Sequence, residues 1–388
     1  MSKRFALLAA LAALTAACLA PQASSSRFLK VGLFDEAQTL YGNPDRAFPV
    51  LEQLGAQMLR VNLYWGGSRY GVARRRPQAA SNPDDPAYNW GLYDRTVLYA
   101  AEHGIKVVFS IYRTPTWAGG GSLGNRAPRV PADLQRFANA AAKRYSGTWE
   151  RKSDDRVLPA VRHWLAWNEP NNPNFISPQF RLVGGRFVPS SPAEYAKICN
   201  AIYAGVHATL LANQKVACGV TGPRGNNSAQ NSRPSLSPLV FLRGMKAAGI
   251  RRFDAYAHHP YYGKPTETPT TRLRATTAIT LGNIDVLIKE LTRLYGSKRV
   301  WITEYGYQTR PEDQSLGVSW NLQARYLTQA YAMARSNPRI DMMLWFLLRD
   351  EPRLLGHDGW QSGFITIGGR RKPAFAAFQR FARTLSGR

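Results

Sequence analysis

Short apolar, β-branched runs alternate along the chain with longer stretches whose apolar positions recur every three to four residues. The short runs suit strands buried on both faces, and the longer ones suit helices that cover a sheet. A first strand is expected at 29–33, then a helix at 46–55, a strand at 58–65 and a helix at 90–103, with Gly104 as its stop signal. Strand 106–111 is followed by helix 132–145, strand 163–167 by helix 193–212, and strand 215–220 by helix 238–248, which opens on a proline. Strand 253–258 precedes helix 283–295, strand 299–304 precedes helix 319–335, and strand 342–347 leads to a closing helix at 373–385. Eight strand–helix pairs in alternation predict a parallel sheet, and the count matches one α/β domain, a single (β/α)8 TIM barrel. Polar segments rich in glycine and proline at 66–89, 118–130, 172–192, 222–237 and 263–277 mostly follow strand ends, so the βα loops should be elaborate. Nothing within 27–388 reads as a repeat or a domain linker.

The N-terminus adds a destination. Lys3 and Arg4 precede an apolar run at 5–17, and small and polar residues follow through Ser26. That is the layout of a secretory signal, and the run is too short to span a bilayer. Residues 1–26 are expected to be a signal peptide and 27–388 a secreted or extracellular domain with no transmembrane span. Thr15-Ala16-Ala17-Cys18 is an imperfect lipoprotein-type site, with the aliphatic residue one place early at Leu14. A lipid anchor at Cys18 in the cell envelope therefore stands beside ordinary cleavage. The remaining cysteines, Cys199 and Cys218, fall in a helical stretch and the next strand. They could be buried thiols or one bridge; thiols are favoured, because a well-packed barrel needs no staple.

Charge narrows the partners less. Lys and Arg number 51 against 25 Asp and Glu, a net charge of +26. The cations are spread along the chain rather than gathered in a stripe, which argues against nucleic acid. A solvated basic surface accounts for them, and attraction to an anionic glycan, cell wall or membrane surface is the functional alternative. With 44% hydrophobic residues, global disorder is excluded. No Cys/His cluster has metal-ligand spacing, so neither metal nor cofactor is expected.

Two strand ends carry the chemistry. The fourth strand runs into Trp167-Asn168-Glu169-Pro170-Asn171, and the seventh ends in Thr303-Glu304-Tyr305-Gly306. Barrel enzymes assemble their sites at the C-terminal ends of the strands, and the fourth and seventh ends face each other across the mouth. A carboxylic acid and a carboxylate flanking one sugar are what double displacement at a glycosidic bond requires. The expected roles are general acid/base for Glu169 and nucleophile for Glu304. A lone Asn-Glu-Pro would more often be a capping or salt-bridged acid; the second, correctly ordered glutamate makes the difference.

The WNEPN motif with a late TEYG resembles clan A glycoside hydrolases, the (β/α)8 superfamily that contains families 5 and 39, over essentially the whole mature chain. The resemblance implies cleavage of β-configured bonds; the expected partner is a poly- or oligosaccharide, an anionic one gaining modestly from the net charge. Arg60 resembles the clan arginine beside the nucleophile, and Asn168 the asparagine that contacts the sugar 2-hydroxyl. His259-Pro260-Tyr261 resembles the His-x-Tyr after strand six, whose tyrosine supports the nucleophile; adjacent His258 competes as the relevant histidine. Trp345 resembles the aromatic floor beneath the sugar. Thr114-Pro115-Thr116-Trp117 is similar to the family 39 pattern, whereas the strand-three histidine typical of family 5 is missing. Trp65, Trp117, Trp345 and Trp360 could each face sugar C–H groups or simply fill the core. A transglycosylase of the same fold, or a catalytically silent glycan-binding envelope protein, fits the same residues.

Overall fold

Eight parallel strands close into a barrel in the computed structural model, which describes residues 26, 29–67, 69–274, 276–352 and 359–385. The strands are β1 (Lys30–Phe34), β2 (Met58–Tyr64), β3 (Lys106–Tyr112), β4 (His163–Ala166), β5 (Lys215–Thr221), β6 (Ala255–His258), β7 (Arg299–Tyr305) and β8 (Ile340–Phe346). Each hydrogen-bonds its sequence neighbours, and β8 closes on β1 with Leu33 opposite Trp345 and Phe34 opposite Phe346. The helices around them are α1 (Pro44–Leu54), α2 (Gly91–Glu102), α3 (Pro131–Arg144), α4 (Ser191–His207), α5 (Pro238–Ala247), α6 (Ile284–Tyr295), α7 (Trp320–Ser336) and α8 (Pro373–Arg383). The single (β/α)8 barrel expected from the alternation of patterns is thus the observed fold. The expected signal peptide, apart from its last residue Ser26, and Cys18 lie outside the described residues.

Local chemistry explains where the helices begin and end. Asn43 accepts a hydrogen bond from the Asp45 amide, Pro44 occupies the first turn, and Gly55 closes α1 with φ +76°. Helix α4 stops at His207 rather than at 212, because the chain turns through left-handed Leu210 (φ +57°) and Asn213 (φ +63°). Two hairpins were not foreseen: Glu150–Arg151 with Arg156–Val157, and Phe180–Val183 with Arg186–Pro189 inside the long segment after β4.

The core divides in two. Met58, Val108, Leu165, Ala217, Ala255, Trp301, Met342 and Leu344, all strand residues, fill the barrel interior. The intervening strand positions join the helices in a larger outer layer. Strand alternation therefore decides which side chains reach the mouth. Cys218 points outward from β5 and meets Cys199 on α4, and the two are joined in a disulfide. This corrects the expectation of free thiols: the returning helix packs against its own strand and brings the two cysteines to a Cα separation of 6.0 Å, within bridging range.

Candidate active site

Inward positions on β2 run Met58, Arg60, Asn62, Tyr64: the first packs the barrel floor and the rest rise toward the mouth. At the end of β4 strict alternation would send Asn168 and Glu169 to opposite faces. The backbone instead enters the left-handed region at Trp167 (φ +78°) and Glu169 (φ +33°), and both residues line one cleft. Such conformations cost on the order of 1–3 kcal/mol each and are tolerated where surrounding contacts hold them. Asn171 supplies those contacts: it accepts from the Gly222 amide and donates to the carbonyls of Gly222, Arg224 and Leu236. Gly222 is itself required, since a Cβ there would lie 2.9 Å from the Glu169 carboxyl carbon. On β7 three residues from Ile302 to Tyr305 span two on β8, a bulge that re-aims Glu304 into the cleft beside inward Thr303.

The structure brings Arg60, Asn168, Glu169, His259, Tyr261 and Glu304 together. Arg60 is fully buried and donates to Glu304 Oε1 at 2.7 Å and to Asn168 Oδ1 at 2.6 Å, with its guanidinium 4.4 Å above the Phe34 ring. Tyr261 donates its hydroxyl to Glu304 Oε2 at 3.1 Å. Both oxygens of Glu304 are thus held, and in both bonds it accepts. Glu169 has a different setting. Burial raises its pKa above the usual carboxyl value, while the Asn172 amide and the cations Arg60 and Arg233 pull it down.

His259 joins the two acids. Its Nε2 lies 3.1 Å from Arg60 Nη1, a group that can only donate, so Nε2 accepts. Burial pushes the imidazole pKa down to about 3, so the ring is neutral and its single proton sits on Nδ1. Nδ1 therefore donates to Glu169 Oε1 at 3.0 Å. A proton on Glu169 would therefore sit on Oε2. His258 is a satisfied core residue: Thr221 Oγ1 and the Ile279 carbonyl occupy its two nitrogens at 2.9 and 3.0 Å.

One ligating atom each from Glu169, His259 and Glu304 lie within 4.8 Å of one another. A metal ion there would have to displace the Arg60 guanidinium from Glu304 and the proton from His259 Nδ1. The arrangement suits an acid and a carboxylate facing across a cleft of about 510 Å³.

Three tryptophans lie elsewhere. Trp345 points outward from β8, stacks on Phe364 and donates Nε1 to the Ser362 carbonyl; its neighbour Phe346 has the inward parity and lines the cleft. Trp65 is buried in the outer layer against Phe137 and Trp117. Trp117 donates to the Ala73 carbonyl and lies under the Arg76 guanidinium. The expectation that these three contact the sugar is corrected on those grounds. Trp360, by contrast, lines the cleft. Asn62, Tyr64, Tyr112, Asn172 and Phe346 line it too and were missed. A period-2 count upward from Arg60 would have found the first two.

No protein-family model matches the chain. No curated protein matches it. Solved structures do. A glucosidase from Croceicoccus marinus superposes with TM-score 0.67 at 15% identity, covering 93% of this chain and 68% of that one. A family 39 glycoside hydrolase from Bacteroides cellulosilyticus WH2 gives 0.62 at 17% identity over 94% and 64%. The family 39 enzyme from Xanthomonas axonopodis pv. citri gives 0.56 at 16% over 91% and 66%. The chain spans about two thirds of the length of these proteins. It shares its fold with glycoside hydrolases of clan A, family 39 among them.

Proposed function

We propose that the chain is an exported, retaining glycoside hydrolase that cleaves β-glycosidic bonds of a poly- or oligosaccharide by double displacement. The observation that carries this reading is the glutamate pair: carboxyl oxygens from the ends of β4 and β7 within 4.8 Å across one cleft, in unlike surroundings. Retaining enzymes hold their carboxyls about 5–5.5 Å apart, and inverting enzymes leave about 6.5–9.5 Å for a water. The separation supports retention.

In the first step Glu304 attacks the anomeric carbon while Glu169 Oε2 gives its proton to the departing glycosidic oxygen. The C–O bond to the leaving group breaks as the bond to Glu304 forms. Arg60 and Tyr261 each donate to one oxygen of Glu304 and aim it at the anomeric carbon. In the second step Glu169, now a carboxylate, removes a proton from water. The oxygen of that water attacks the same face, releasing Glu304 and restoring the starting configuration. His259 Nδ1–H donates to Glu169 Oε1 in both states, so the proton enters and leaves on Oε2.

Export is supported by the N-terminal signal pattern and by the buried Cys199–Cys218 bridge, which an oxidising compartment would preserve. The test is the anomer first released, read by NMR: retained product is expected, and inverted product would overturn the mechanism. Glu169→Gln should lower kcat/KM on poor leaving groups by about 10²–10⁴-fold while sparing glycosylation by activated aryl glycosides. Equal loss on both would remove Glu169 from the acid role.

A further inference from the structure

Among the described residues, two arginines line the cleft, and they differ in one respect. Arg224 is ion-paired with Glu267 at 3.3 Å. Arg113, the first residue after β3, is held by peptide carbonyls and by the neighbouring Tyr112 hydroxyl: its Nη1 donates to Leu123 at 2.6 Å and to Gly67 at 3.2 Å. Its Nε is buried with no partner, and among the described residues no carboxylate pairs with it. Arg60, deeper in the site, has Glu304 for its counter-charge. Among the described residues, Arg113 lines the cleft with a positive charge that no carboxylate of its wall pairs with.

The position is built. Arg113 sits at φ +61°, with its guanidinium 5.2 Å from the centre of the Tyr112 ring. Gly67 and Gly124 form the slot around its side chain, since a Cβ on either would come within 3.2 Å of it. The two carbonyl contacts fix the plane of the fork without cancelling its charge. A fixed, uncompensated guanidinium in a partly desolvated cleft is matched by a planar anion that can accept two parallel N–H bonds.

We propose that Arg113 is a specificity residue for acidic sugars, and that the cleft takes a glycan in which a uronic acid carboxylate pairs with this guanidinium. The inference rests on the glycosidase reading and names its substrate class. The net charge of +26 acts in the same direction by raising the local concentration of a polyanionic glycan.

The experiment uses pairs of oligosaccharides that differ only in oxidation at C6: cellotriose against its tri-carboxylated form, and laminaritriose against its own. Binding to full-length Glu304→Gln protein, which should not turn them over, is measured by calorimetry in low salt. The carboxylated member of at least one pair should bind about ten- to a hundredfold tighter. That preference should fall to within about threefold on adding Arg113→Gln, and should shrink in 0.5 M NaCl. Equal or tighter binding of the neutral members, no binding of any member, or a preference that survives Arg113→Gln would overturn the proposal. Should Arg113→Gln not fold, the salt titration decides: a preference indifferent to salt overturns it. Wild-type hydrolysis of the same sugars separates the two readings. Cleavage of neutral members alone removes the acidic subsite and leaves the glycosidase. Selective binding of carboxylated members, with no cleavage of these or of any aryl β-glycoside, does the reverse.

Discussion

Along β2, β7 and β8 the inward side chains at the barrel floor are Met58, Trp301 and Leu344, whereas two residues further on they are Arg60, Thr303 and Phe346. The floor is sealed by apolar packing among strands. The mouth is held by hydrogen bonds and one buried ion pair that every strand end must be positioned to satisfy. Floor residues contribute by excluding water and need only the right volume. The polar mouth residues contribute by geometry, so losing one leaves a buried hydrogen-bonding partner unpaired. Stability and chemistry are therefore separable by a shift of two residues along one strand.

The comparison can be broken in order of effect. Glu304→Ala removes the proposed nucleophile and should cost on the order of 10⁴-fold or more in kcat. Activity close to wild type would place the chemistry outside this site. Arg60→Met strips Glu304 of its cation, and a broken buried pair costs about 3–5 kcal/mol, so both Tm and kcat should fall together. Loss of only one of them would separate the ion pair from either stability or catalysis. Leu344→Ala, in the floor, should lower stability by about 2–5 kcal/mol while kcat measured well below Tm stays as in wild type. A matching fall in kcat would mean floor and mouth are not independent.

The smallest effect sharpens the picture at one proton. Glu169 must be protonated for the first step, so kcat/KM should fall as pH rises through its pKa. Asn172 donates to Glu169 Oε2 at 3.3 Å and lowers that pKa, so Asn172→Ala should move the alkaline limb to higher pH. A limb that stays in place would assign it to another group. The same shift has a stability consequence. Because burial raises the native pKa of Glu169, the folded chain keeps the proton where the unfolded chain has lost it. Its contribution is complete below the unfolded value and is lost as pH rises through the native one. Glu169→Gln should flatten that part of the pH–Tm profile.

Much of the mouth was legible in the chain. Glu169 and Glu304 stand at the ends of apolar runs, and Arg60 stands inside one, where a charge is conspicuous because it must be paired. Tyr261 was found through the resemblance of His259-Pro260-Tyr261 to a His-x-Tyr pattern, and its spacing favoured His259 over His258. The bridge from His259 to Glu169 was not, because it depends on which ring nitrogen Arg60 occupies. Trp345 was drawn to the cleft by its resemblance to the aromatic floor beneath the sugar. The sequence Met342-Met343-Leu344-Trp345-Phe346 is apolar at every position, so nothing in it says which face is which. Arg113 was passed over because an arginine after a strand is unremarkable until its neighbours are seen to lack a counter-charge.

By itself the sequence determined the number and order of strands, hence the barrel and the placing of two acids on opposite sides of its mouth. Those follow from periodicity and chain order, which are local or cumulative along the chain. Tertiary structure alone decided that Phe346 rather than Trp345 faces the cleft, that Cys199 reaches Cys218, and that a bulge aims Glu304 inward. Strands apolar on both faces carry no record of their own parity; only the closed register of eight neighbours sets it.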